Sequence, residues 1–363
     1  MRVVIADPPA YTPPYDSALA TALVRQGADV RLLTSRFRYG TVPPAAGYTL
    51  DDSLYRLSTG MGSRHGRLAV KGLGHPRALV KLAFADCDLL HLQWVAAPEA
   101  DAWLLHTRRP LVFTAHDLLP RRTAHHTRTW RRLFGRFDRV VTHSERGRRT
   151  LAAFGVPEAK LRVIPHPAFH SDPVRQDDGR TVLALGLIRP YKGLPDAVEA
   201  VLGVAGARLL VAGDPRIIDW FPAASSPHAV SLDALRAAAG DRAEWRLGYL
   251  SEHELTAALG AATVAVFPYR AELDQSGALL QTLGAGVPAV VYDVGGLGEI
   301  VGAFGAGRVV APGDVKGLEH ALRELLDDAD ALAEARAGAA RARADLTWDR
   351  SAAAHLALYE ELA

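Results

Sequence analysis

The chain of 363 residues has little cysteine, few aromatic side chains and no long apolar run. Its single cysteine, Cys87, excludes an internal disulfide framework and is typical of a protein from a reducing compartment. The apolar run in the opening segment MRVVIADPPAY is too short for a signal peptide, and no later run approaches the length of a membrane span. These absences predict a cytoplasmic protein.

Several nucleotide-binding and metal-binding motifs are also missing. The loops after the first strands of the two halves, DPPAYTPPYD and GLIRPYKG, lack the dinucleotide fingerprint GxGxxG, which counts against a nicotinamide-dependent dehydrogenase. A phosphate-binding P-loop is absent as well. Neither zinc-ligand spacing nor an RNA-binding aromatic signature occurs, so we expect no bound metal and no nucleic-acid partner.

The remaining composition is that of an ordinary soluble protein, but its charge is unevenly distributed. Hydrophobic residues make up 49% and charged residues 23%, and the length favours two domains. Residues 1–170 contain 25 of the 42 Lys and Arg but only 13 of the 40 Asp and Glu, a net charge of +12. The other 17 basic and 27 acidic residues give the remainder −10. This asymmetry predicts two units with different partners.

Part of the basic excess lies in two arginine-rich segments, residues 121–139 and 145–150. One hypothesis is that the first domain docks on an anionic membrane, which would place the protein peripherally at the inner membrane face. Solvated helix faces in an arginine-rich protein would give the same pattern, and we favour that interpretation. Docking on an anionic membrane is the alternative hypothesis.

Hydrophobic patterning predicts an α/β protein built from two doubly wound sheets. A strand at 2–6, a helix at 17–27 and a strand at 28–34 form an opening βαβ unit, whereas residues 35–85 show no clear pattern. A polar, turn-rich segment at 166–180 is typical of a linker, and a second βα series follows it. Two such domains facing each other would form a cleft, where binding pockets are favoured.

The second half contains a strand–loop–helix–strand–loop–helix run at residues 263–299. The buried strands TVAVF and AVVY are each followed by small residues and a helix start, with Ser276 as the expected N-cap of the first helix. Two helix N-termini at one edge of a parallel sheet would make a good seat for a phosphate. Tight turns in ordinary βα units also need small residues, so the pattern leaves a purely structural role open.

Four strands of the first half carry a histidine at or just beyond their carboxyl ends. These are His91, His116, His143 and His166. In open parallel sheets ligands bind at those ends, so we expect at least one or two of these side chains to face the crevice. Their wide separation along the chain is not the pattern of a zinc site.

Several stretches together resemble the sugar-nucleotide-dependent glycosyltransferases of family 4. They are VFTAHD (112–117), GLIRPYKG (186–193), LGYLSEHEL (247–255) and SGALLQTLGAGVPAVVYDVGGLGE (276–299). The resemblance implies the GT-B fold, two Rossmann-like domains facing a cleft. It further implies an acceptor-binding domain at 1–168 and a donor-binding domain at 169–345. The closing segment 346–363 resembles the family's last helix, which crosses back onto the first domain.

The same resemblance implies a retaining hexosyltransferase that needs no metal or other cofactor. Its donor would be a nucleoside-diphosphate sugar, with UDP- or GDP-sugars the first candidates. Its acceptor would be a hydroxyl group on a small molecule, a glycan or a lipid. The alternative is a sugar-nucleotide-binding protein whose catalysis is lost or weak.

The resemblance also implies a set of site residues. Arg189 and Lys192 would hold the diphosphate together with the N–H groups of Ser276 and Gly277, and His116 would lie beside the reacting centre. The backbone of Gly248, Tyr249 and Leu250 would hold the base, and Gln281 the ribose. The acceptor side would include Tyr15, Asp16, His91 and Trp94.

Several positions depart from the family pattern. Leu187 stands where the family has arginine, and Leu273 and Gln281 replace two glutamates, so that Glu272 or Asp274 would have to substitute for the first. Asp16 has the ordinary interpretation of a helix cap before Ser17. The acceptor loops are expected in the irregular segments 35–85 and 118–130.

Overall fold

The protein is described by a computed structural model that covers residues 1–38, 40, 42, 44–58, 63–120, 123–215 and 231–362. The chain forms two compact units. Unit 1 comprises Met1–Pro165 with Trp348–Ala363, and unit 2 comprises His166–Thr347. Each unit has a parallel sheet with helices between its strands, which confirms the predicted fold class.

Unit 1 contains a seven-stranded sheet in the order β3-β2-β1-β4-β5-β6-β7. The strands are β1 Arg2–Asp7, β2 Asp29–Ser35, β3 Thr49–Leu54, β4 Leu89–Leu92, β5 Leu111–Thr114, β6 Arg139–Thr142 and β7 Leu161–Val163. The helices are α1 Pro13–Arg25, α2 Arg64–Ala83, α3 Pro98–Leu104, α4 Thr127–Arg136, α5 Glu145–Phe154 and α13 Trp348–Glu360. The strand order reverses between β1 and β4, which is where doubly wound sheets bind ligands.

The start of α1 differs from the sequence prediction. The helix begins at Pro13 rather than Ser17, because two prolines can occupy a first turn whose N–H groups have no helical partner. Asp16 therefore lies inside the helix and is buried, so its interpretation as a helix cap is wrong. The unpatterned region 35–85 contains β3 and the twenty-residue helix α2, which has Pro76 in its interior.

Unit 2 contains a six-stranded sheet in the order β10-β9-β8-β11-β12-β13. The strands are β8 Thr181–Leu185, β9 Arg208–Gly213, β10 Ala243–Leu247, β11 Val264–Phe267, β12 Ala289–Tyr292 and β13 Gly307–Val310. The helices are α6 Leu194–Gly203, α7 Leu232–Ala239, α8 Glu252–Ala261, α9 Gly277–Gly284, α10 Gly296–Phe304, α11 Val315–Asp327 and α12 Ala329–Asp345. Ser251 and Glu254 form the predicted capping box of α8.

The predicted linker at 166–180 has no helix or strand but is not a free connection. The N–H of Ala168 donates to the carbonyl of Leu346 at 2.8 Å, and that of Gln176 to the carbonyl of Gly260 at 2.9 Å. A Cβ at Gly284 would overlap the carbonyl oxygen of Phe169, so this glycine makes room for the segment. Residues 166–180 therefore belong to the packed surface of unit 2.

None of the helices in the described part of the chain is both long and apolar enough to cross a bilayer.

Candidate active site

The donor residues implied by the sequence lie at one edge of the sheet of unit 2. Strands β10, β9, β8 and β11 are neighbours, and all four are parallel. Their carboxyl ends lead into the loops at 186–193, 248–250 and 268–276. The fold thus collects three separate sequence motifs at the edge where an open α/β sheet binds ligands.

The loop after β8 is held in position by glycine and by the neighbouring loop. Gly193 has a φ of 68°, and a Cβ at this position would overlap the carbonyl oxygen of Pro268. The N–H of Arg270 donates to the carbonyl of Tyr191 at 2.7 Å. The loops after β8 and β11 therefore act as one framework, and only glycine fits at position 193 without strain.

Arg189 is a buried cation with an unused donor. Its side chain is 7% exposed, and its Nη1 donates to the carbonyl of Ile188 at 2.9 Å. Its Nη2 has no hydrogen-bond partner among the described residues. Burial lowers the pKa of this guanidinium because the charged form loses its water. An anion bound here would satisfy the donor and offset the cost of burying the charge.

Lys192 provides a second cation beside Arg189. Both residues line a pocket whose floor is formed by the ends of β8 and β11. The ammonium nitrogen of Lys192 lies 4.9 Å from the centroid of the Tyr269 ring and 3.4 Å from the place that a Cβ on Gly186 would take. Two cations and a backbone without a side chain at Gly186 make this pocket suited to a diphosphate.

The start of α9 lies at the same edge. Ser276 caps the helix as predicted, because its Oγ accepts from the N–H of Leu279 at 3.4 Å. The N–H of Ser276 itself donates to the side chain of Gln275 at 2.9 Å, so in this structure that donor is already used. Gly277 is exposed in the first helical turn, and Gln281 lies half-buried one turn later on the same face.

The positions that replace the family's first glutamate have structural roles. Leu273 is buried in the core of unit 2, and its carbonyl oxygen packs so closely on Gly295 that a Cβ there would overlap it. Glu272 accepts from the N–H of Gly295 at 2.9 Å and ties this loop to the start of α10. Asp274 is fully buried. Leu273 is therefore a core residue of unit 2.

A partly buried ion pair supports this edge and was missed from the sequence. Arg270 donates through Nε and Nη2 to the two oxygens of Asp196 at 2.8 and 2.7 Å, and Tyr292 donates to the same carboxylate at 3.0 Å. Arg270 and Asp196 are 74 positions apart in the chain. No local pattern could pair them, because the contact depends on β8 lying beside β11.

The expected base-binding turn follows β10. The N–H of Gly248 donates to the carbonyl of Gly213 at 3.0 Å, which joins the ends of β10 and β9. Gly248 has a φ of 139°, and Leu250 packs against the core. Partial burial raises the pKa of Tyr249, so this phenol stays neutral at physiological pH.

In unit 1, His116 follows β5 and is held by two aromatic rings. Trp94 stacks on the imidazole with a centroid separation of 5.4 Å and an angle of 14°. Tyr15 meets it edge-on at 4.8 Å. The Oε1 of Gln93 lies 2.8 Å from the Nε2 of His116. His116, Tyr15 and Trp94 thus come together as expected, although Tyr15 is buried within α1.

His143 contacts the Nδ1 of His116. Its Nδ1 donates to the carbonyl of Ile164 at 2.9 Å, and burial lowers its pKa to about 4. The neutral ring therefore offers Nε2 as an acceptor, 3.4 Å from the Nδ1 of His116. Contacts at both of its nitrogens, from Gln93 and from His143, therefore fix the orientation of the His116 ring.

The other two histidines do not reach this edge. His91 lies within β4 and is fully buried, with Tyr359 at 2.6 Å from Nδ1 and Thr114 at 2.7 Å from Nε2. Burial holds its pKa well below the ordinary value. His166 belongs to unit 2, where its Nδ1 donates to the carbonyl of Pro167 at 2.7 Å. The inclusion of His91 among residues that touch an acceptor is therefore wrong.

Asp16 forms a buried pair of carboxyl groups with Asp7. Burial raises the pKa of Asp7 to about 6, and burial together with the charge of Asp7 raises the pKa of Asp16 further. The Oδ2 of Asp7 accepts from the N–H of Thr12 at 3.0 Å, and Trp94 donates to the Oγ of Thr12 at 2.9 Å. Asp16 accepts from the Oγ of Thr12 at 3.4 Å and so supports the Trp94 side of the His116 cluster from inside the fold.

The described residues contain no group of three or more His, Cys, Asp or Glu that could hold a metal ion.

Comparison with known families covers most of the chain. The model described as Glycosyltransferase Family 4 matches residues 17–168, and the model described as Glycosyl transferases group 1 matches residues 179–328. The chain belongs to the family 4 glycosyltransferases. Its two parallel-sheet units are the two domains of the GT-B fold.

Individual relatives agree with this family assignment. Glycogen synthase of Mycobacterium tuberculosis is 35% identical over 184 residues, which are 49% of this chain and 42% of that protein. The lipopolysaccharide core biosynthesis mannosyltransferase LpsB of Rhizobium meliloti is 28% identical over 332 residues, 82% of this chain and 89% of LpsB. The structure of HepE from Anabaena in complex with UDP superposes with a TM-score of 0.71 at 15% identity, covering 100% of both chains.

Proposed function

We propose that this glycosyltransferase-family protein transfers a sugar from a nucleoside-diphosphate sugar to a hydroxyl-bearing acceptor. The observation that carries the proposal is the buried Nη2 of Arg189, which has no hydrogen-bond partner among the described residues and lies next to Lys192 at the edge of unit 2. A buried guanidinium with an unsatisfied donor is costly and is therefore typical of a site that an anion completes. HepE, of the same fold, was crystallised with UDP, so UDP is the first nucleotide to test and GDP the second.

In the proposed reaction the bond between the sugar and the diphosphate breaks while negative charge grows on the leaving phosphate. Arg189 and Lys192, together with the dipole at the start of α9, stabilise that charge where it develops. This arrangement does not require a metal ion. Gln281 contacts the ribose through its amide, and the turn at 248–250 holds the base.

We further propose that the anomeric configuration is retained. The acceptor oxygen attacks from the same face as the leaving group while the bond to the diphosphate breaks, and the acceptor proton passes to the leaving phosphate oxygen. No enzyme nucleophile takes part, so no carboxylate pair of the glycosidase type is needed. His116 lies beside the transferred sugar in this scheme. Comparing the anomeric proton signals of donor and product by NMR tests retention directly, and an inverted product would contradict it.

A thermal-shift titration tests the donor site. The purified protein is heated with UDP, GDP, ADP and TDP and with their sugars, and a ligand at about a hundred times its Kd adds roughly 2.7 kcal/mol of stability. We expect a shift with one base, lost in Lys192→Ala and retained in Arg208→Ala, which removes an exposed cation of the same unit. No shift with any nucleotide would contradict the proposal.

A binding protein with weak or lost catalysis is the alternative function. It is favoured by Leu273, because this core residue leaves no carboxylate at the position of the family's first glutamate. Donor turnover that disappears in His116→Ala, while the nucleotide thermal shift remains, would support the transferase. Nucleotide binding without any turnover would favour the alternative.

A further inference from the structure

The sheet of unit 1 has a pocket at the place where its strand order reverses, between β1 and β4. Pro8 follows β1, and Leu92 and Ala96 lie at the end of β4 and in the loop after it. The other walls of this β1/β4 pocket come from α2, α3 and the turn at Tyr55. The pocket of unit 2 that contains Arg189 has the equivalent place, at the ends of β8 and β11. Both pockets therefore lie where doubly wound sheets bind ligands.

The walls of the β1/β4 pocket are mostly apolar. Helix α2 contributes Ala78, Leu79 and Leu82, and the loop after β4 contributes Trp94 and Val95. No lysine or arginine of the described part of the chain lines it. Its open volume is about 240 Å³, compared with about 360 Å³ for the pocket of unit 2. An ion that enters such a pocket loses its hydration without gaining a partner, so the pocket suits a small, uncharged apolar group.

One corner of the pocket is polar, but its hydrogen bonds are already made within the protein. The Nε2 of His75 lies 2.6 Å from the Oδ1 of Asp101, and its Nδ1 lies 2.8 Å from the hydroxyl of Tyr55. The Oδ2 of Asp101 accepts from the N–H of Ala97 at 2.9 Å. Burial raises the pKa of Tyr55, so this phenol stays neutral. Both oxygens of Asp101 are thus in use, and a bound amine would gain little from this carboxylate.

Two further features connect the pocket with ligand binding. Tyr55 has a φ of 54°, in the left-handed region that residues other than glycine rarely adopt, and strain of this kind concentrates at ligand sites. Trp94 lines the pocket and also stacks on the imidazole of His116, with ring centroids 5.4 Å apart. A single ring therefore separates the pocket from the residue that is expected beside the reacting centre.

We propose that the β1/β4 pocket is a specificity subsite, which takes an uncharged apolar group of the acceptor and excludes a charged one. The group lies against Trp94 and α2, and the acceptor hydroxyl lies on the His116 side of Trp94. An aryl group of a small molecule and an alkyl tail of a lipid share this chemistry. To call the ligand an acceptor rests on the proposed transfer, whereas the preference for an uncharged group follows from the walls alone.

Filling the pocket should remove the binding of benzyl alcohol, the first probe. Ala96 is half-buried in the pocket wall, so a phenylalanine there occupies the space. In saturation-transfer NMR of the full chain we expect Ala96→Phe to weaken binding at least about tenfold, because the overfilled pocket cannot hold a second ring. The matched control is Ala153→Phe on the exposed side of α5, which should leave binding unchanged. Equal binding by Ala96→Phe and the wild type would overturn the proposal.

Three ligands of the same shape test the charge preference. Benzyl alcohol is neutral, whereas benzylamine is a cation and benzoate an anion at pH 7. Only binding that Ala96→Phe removes is compared, which sets aside benzoate held by the cations of unit 2. We expect the alcohol to bind at least about tenfold more tightly than either ion, because only the ions lose the hydration of a charge. Equal affinities, or tighter binding of an ion, would overturn the proposal.

A second variant makes the test independent of folding. Leu79 is buried in the pocket wall, so Leu79→Ala enlarges the pocket. We expect the affinity for 2-naphthylmethanol, relative to benzyl alcohol, to rise about fivefold in Leu79→Ala, because the removed side chain leaves room for the second ring. Partial unfolding would weaken both ligands alike. An unchanged ratio would therefore contradict the location of the subsite.

Two alkyl alcohols distinguish the sources of the apolar group. Equal affinities of 1-butanol and 1-octanol would indicate that the chain ends inside the pocket, as expected for a small-molecule acceptor. An affinity that rises about threefold or more with each methylene would indicate a lipid tail that continues beyond it. Both results support an apolar subsite, whereas binding of neither alcohol would overturn it.

Turnover of nucleotide sugars is measured on the same samples. Pocket-dependent binding of benzyl alcohol without turnover of any donor would contradict only the proposed transfer. Turnover together with unaltered benzyl alcohol binding in Ala96→Phe would contradict only the subsite.

Discussion

The ligand-binding edges of the two units are built from opposite chemistry. The edge of unit 2 carries Arg189 and Lys192 on a loop shaped by glycine, and one donor of Arg189 has no partner among the described residues. The edge of unit 1 carries an imidazole, His116, between aromatic rings, with His143 and Gln93 at its two nitrogens. The first edge has an open donor in the described part of the chain, whereas the second has its hydrogen bonds arranged within the protein.

The difference suggests how the two substrates are divided. A diphosphate is recognised by fixed cations, which stay charged whatever the protein does. A hydroxyl acceptor is neutral, and in the proposed reaction it would meet the ring system around His116. Four experiments can break or sharpen this comparison.

The largest effect is expected at the charged edge. Arg189→Met is expected to lower kcat/KM by about 10² to 10³-fold, because it removes a group that stabilises the leaving diphosphate. The same variant should raise the free energy of unfolding of the ligand-free protein by about 1 kcal/mol, since it removes a buried guanidinium whose Nη2 has no hydrogen-bond partner among the described residues. Turnover assays and urea unfolding measure the two effects. The control, Arg208→Met, should change neither, and a loss of stability in Arg189→Met would contradict the unpaired state.

The loop after β8 should tolerate a substitution of glycine less well than an open turn elsewhere in unit 2. Gly193→Ala is expected to cost about 3 kcal/mol or more in the free energy of unfolding, because the new methyl group meets the carbonyl of Pro268 at a positive φ. Gly206→Ala is the matched control: its φ is 70° and no atom lies within 4 Å of the new Cβ, so about 1 kcal/mol is expected. Urea midpoints measure both. Equal costs would show that the contact with the β11 loop is unimportant.

The buried histidines of unit 1 predict a pH-dependent stability, which the two cations at the edge of unit 2 do not. Burial lowers the pKa of His143 and of His355 on α13 from 6.5 to about 4, so both rings stay neutral when folded but take up a proton when unfolded. The free energy of unfolding of unit 1 therefore decreases as pH falls from 6.5 towards 4. Each of the two rings accounts for a loss of roughly 2 kcal/mol at pH 5. Asp7 acts in the opposite direction, since its raised pKa of about 6 makes the folded form bind the extra proton.

One substitution isolates the histidine contribution. Urea unfolding gives the decrease in the free energy of unfolding between pH 7 and pH 5. We expect this decrease to be about 2 kcal/mol smaller in His355→Phe than in the wild type. His253→Phe removes an exposed histidine of unit 2 and should leave the loss unchanged. A wild-type pH dependence in His355→Phe would mean that this ring does not remain neutral in the fold.

The smallest effect on nucleotide binding is expected at Gln281, whose amide stands where the family has the carboxylate of a glutamate. Gln281→Ala should weaken binding of the nucleotide about five- to tenfold, which corresponds to one lost hydrogen bond of about 1 kcal/mol. Gln281→Glu should bind within about threefold of the wild type, because the acceptor oxygen is kept. Calorimetric titration measures both variants, and unchanged affinity in Gln281→Ala would remove this residue from the ribose contact.

Much of this fold was predictable because its signals are local. The cap at Ser276, the capping box of Ser251 and Glu254 and the buried strands β11 and β12 each depend on residues within one turn or one strand. The placement of Arg189 and Lys192 at a sheet edge followed from the position of their loop directly after β8. Helix α2 was missed because it is apolar on two faces, which obscures the single stripe that identifies an amphipathic helix.

The sequence by itself therefore determined the two α/β units, the order of their elements and the two cations at the edge of the sheet of unit 2. Only the tertiary structure decided which histidine reaches the edge, that Asp16 is buried beside Asp7, and that Arg270 pairs with Asp196. Periodicity and capping are properties of neighbours in the chain. Burial, protonation and ion pairing depend on residues that only folding brings together, and no local pattern records them.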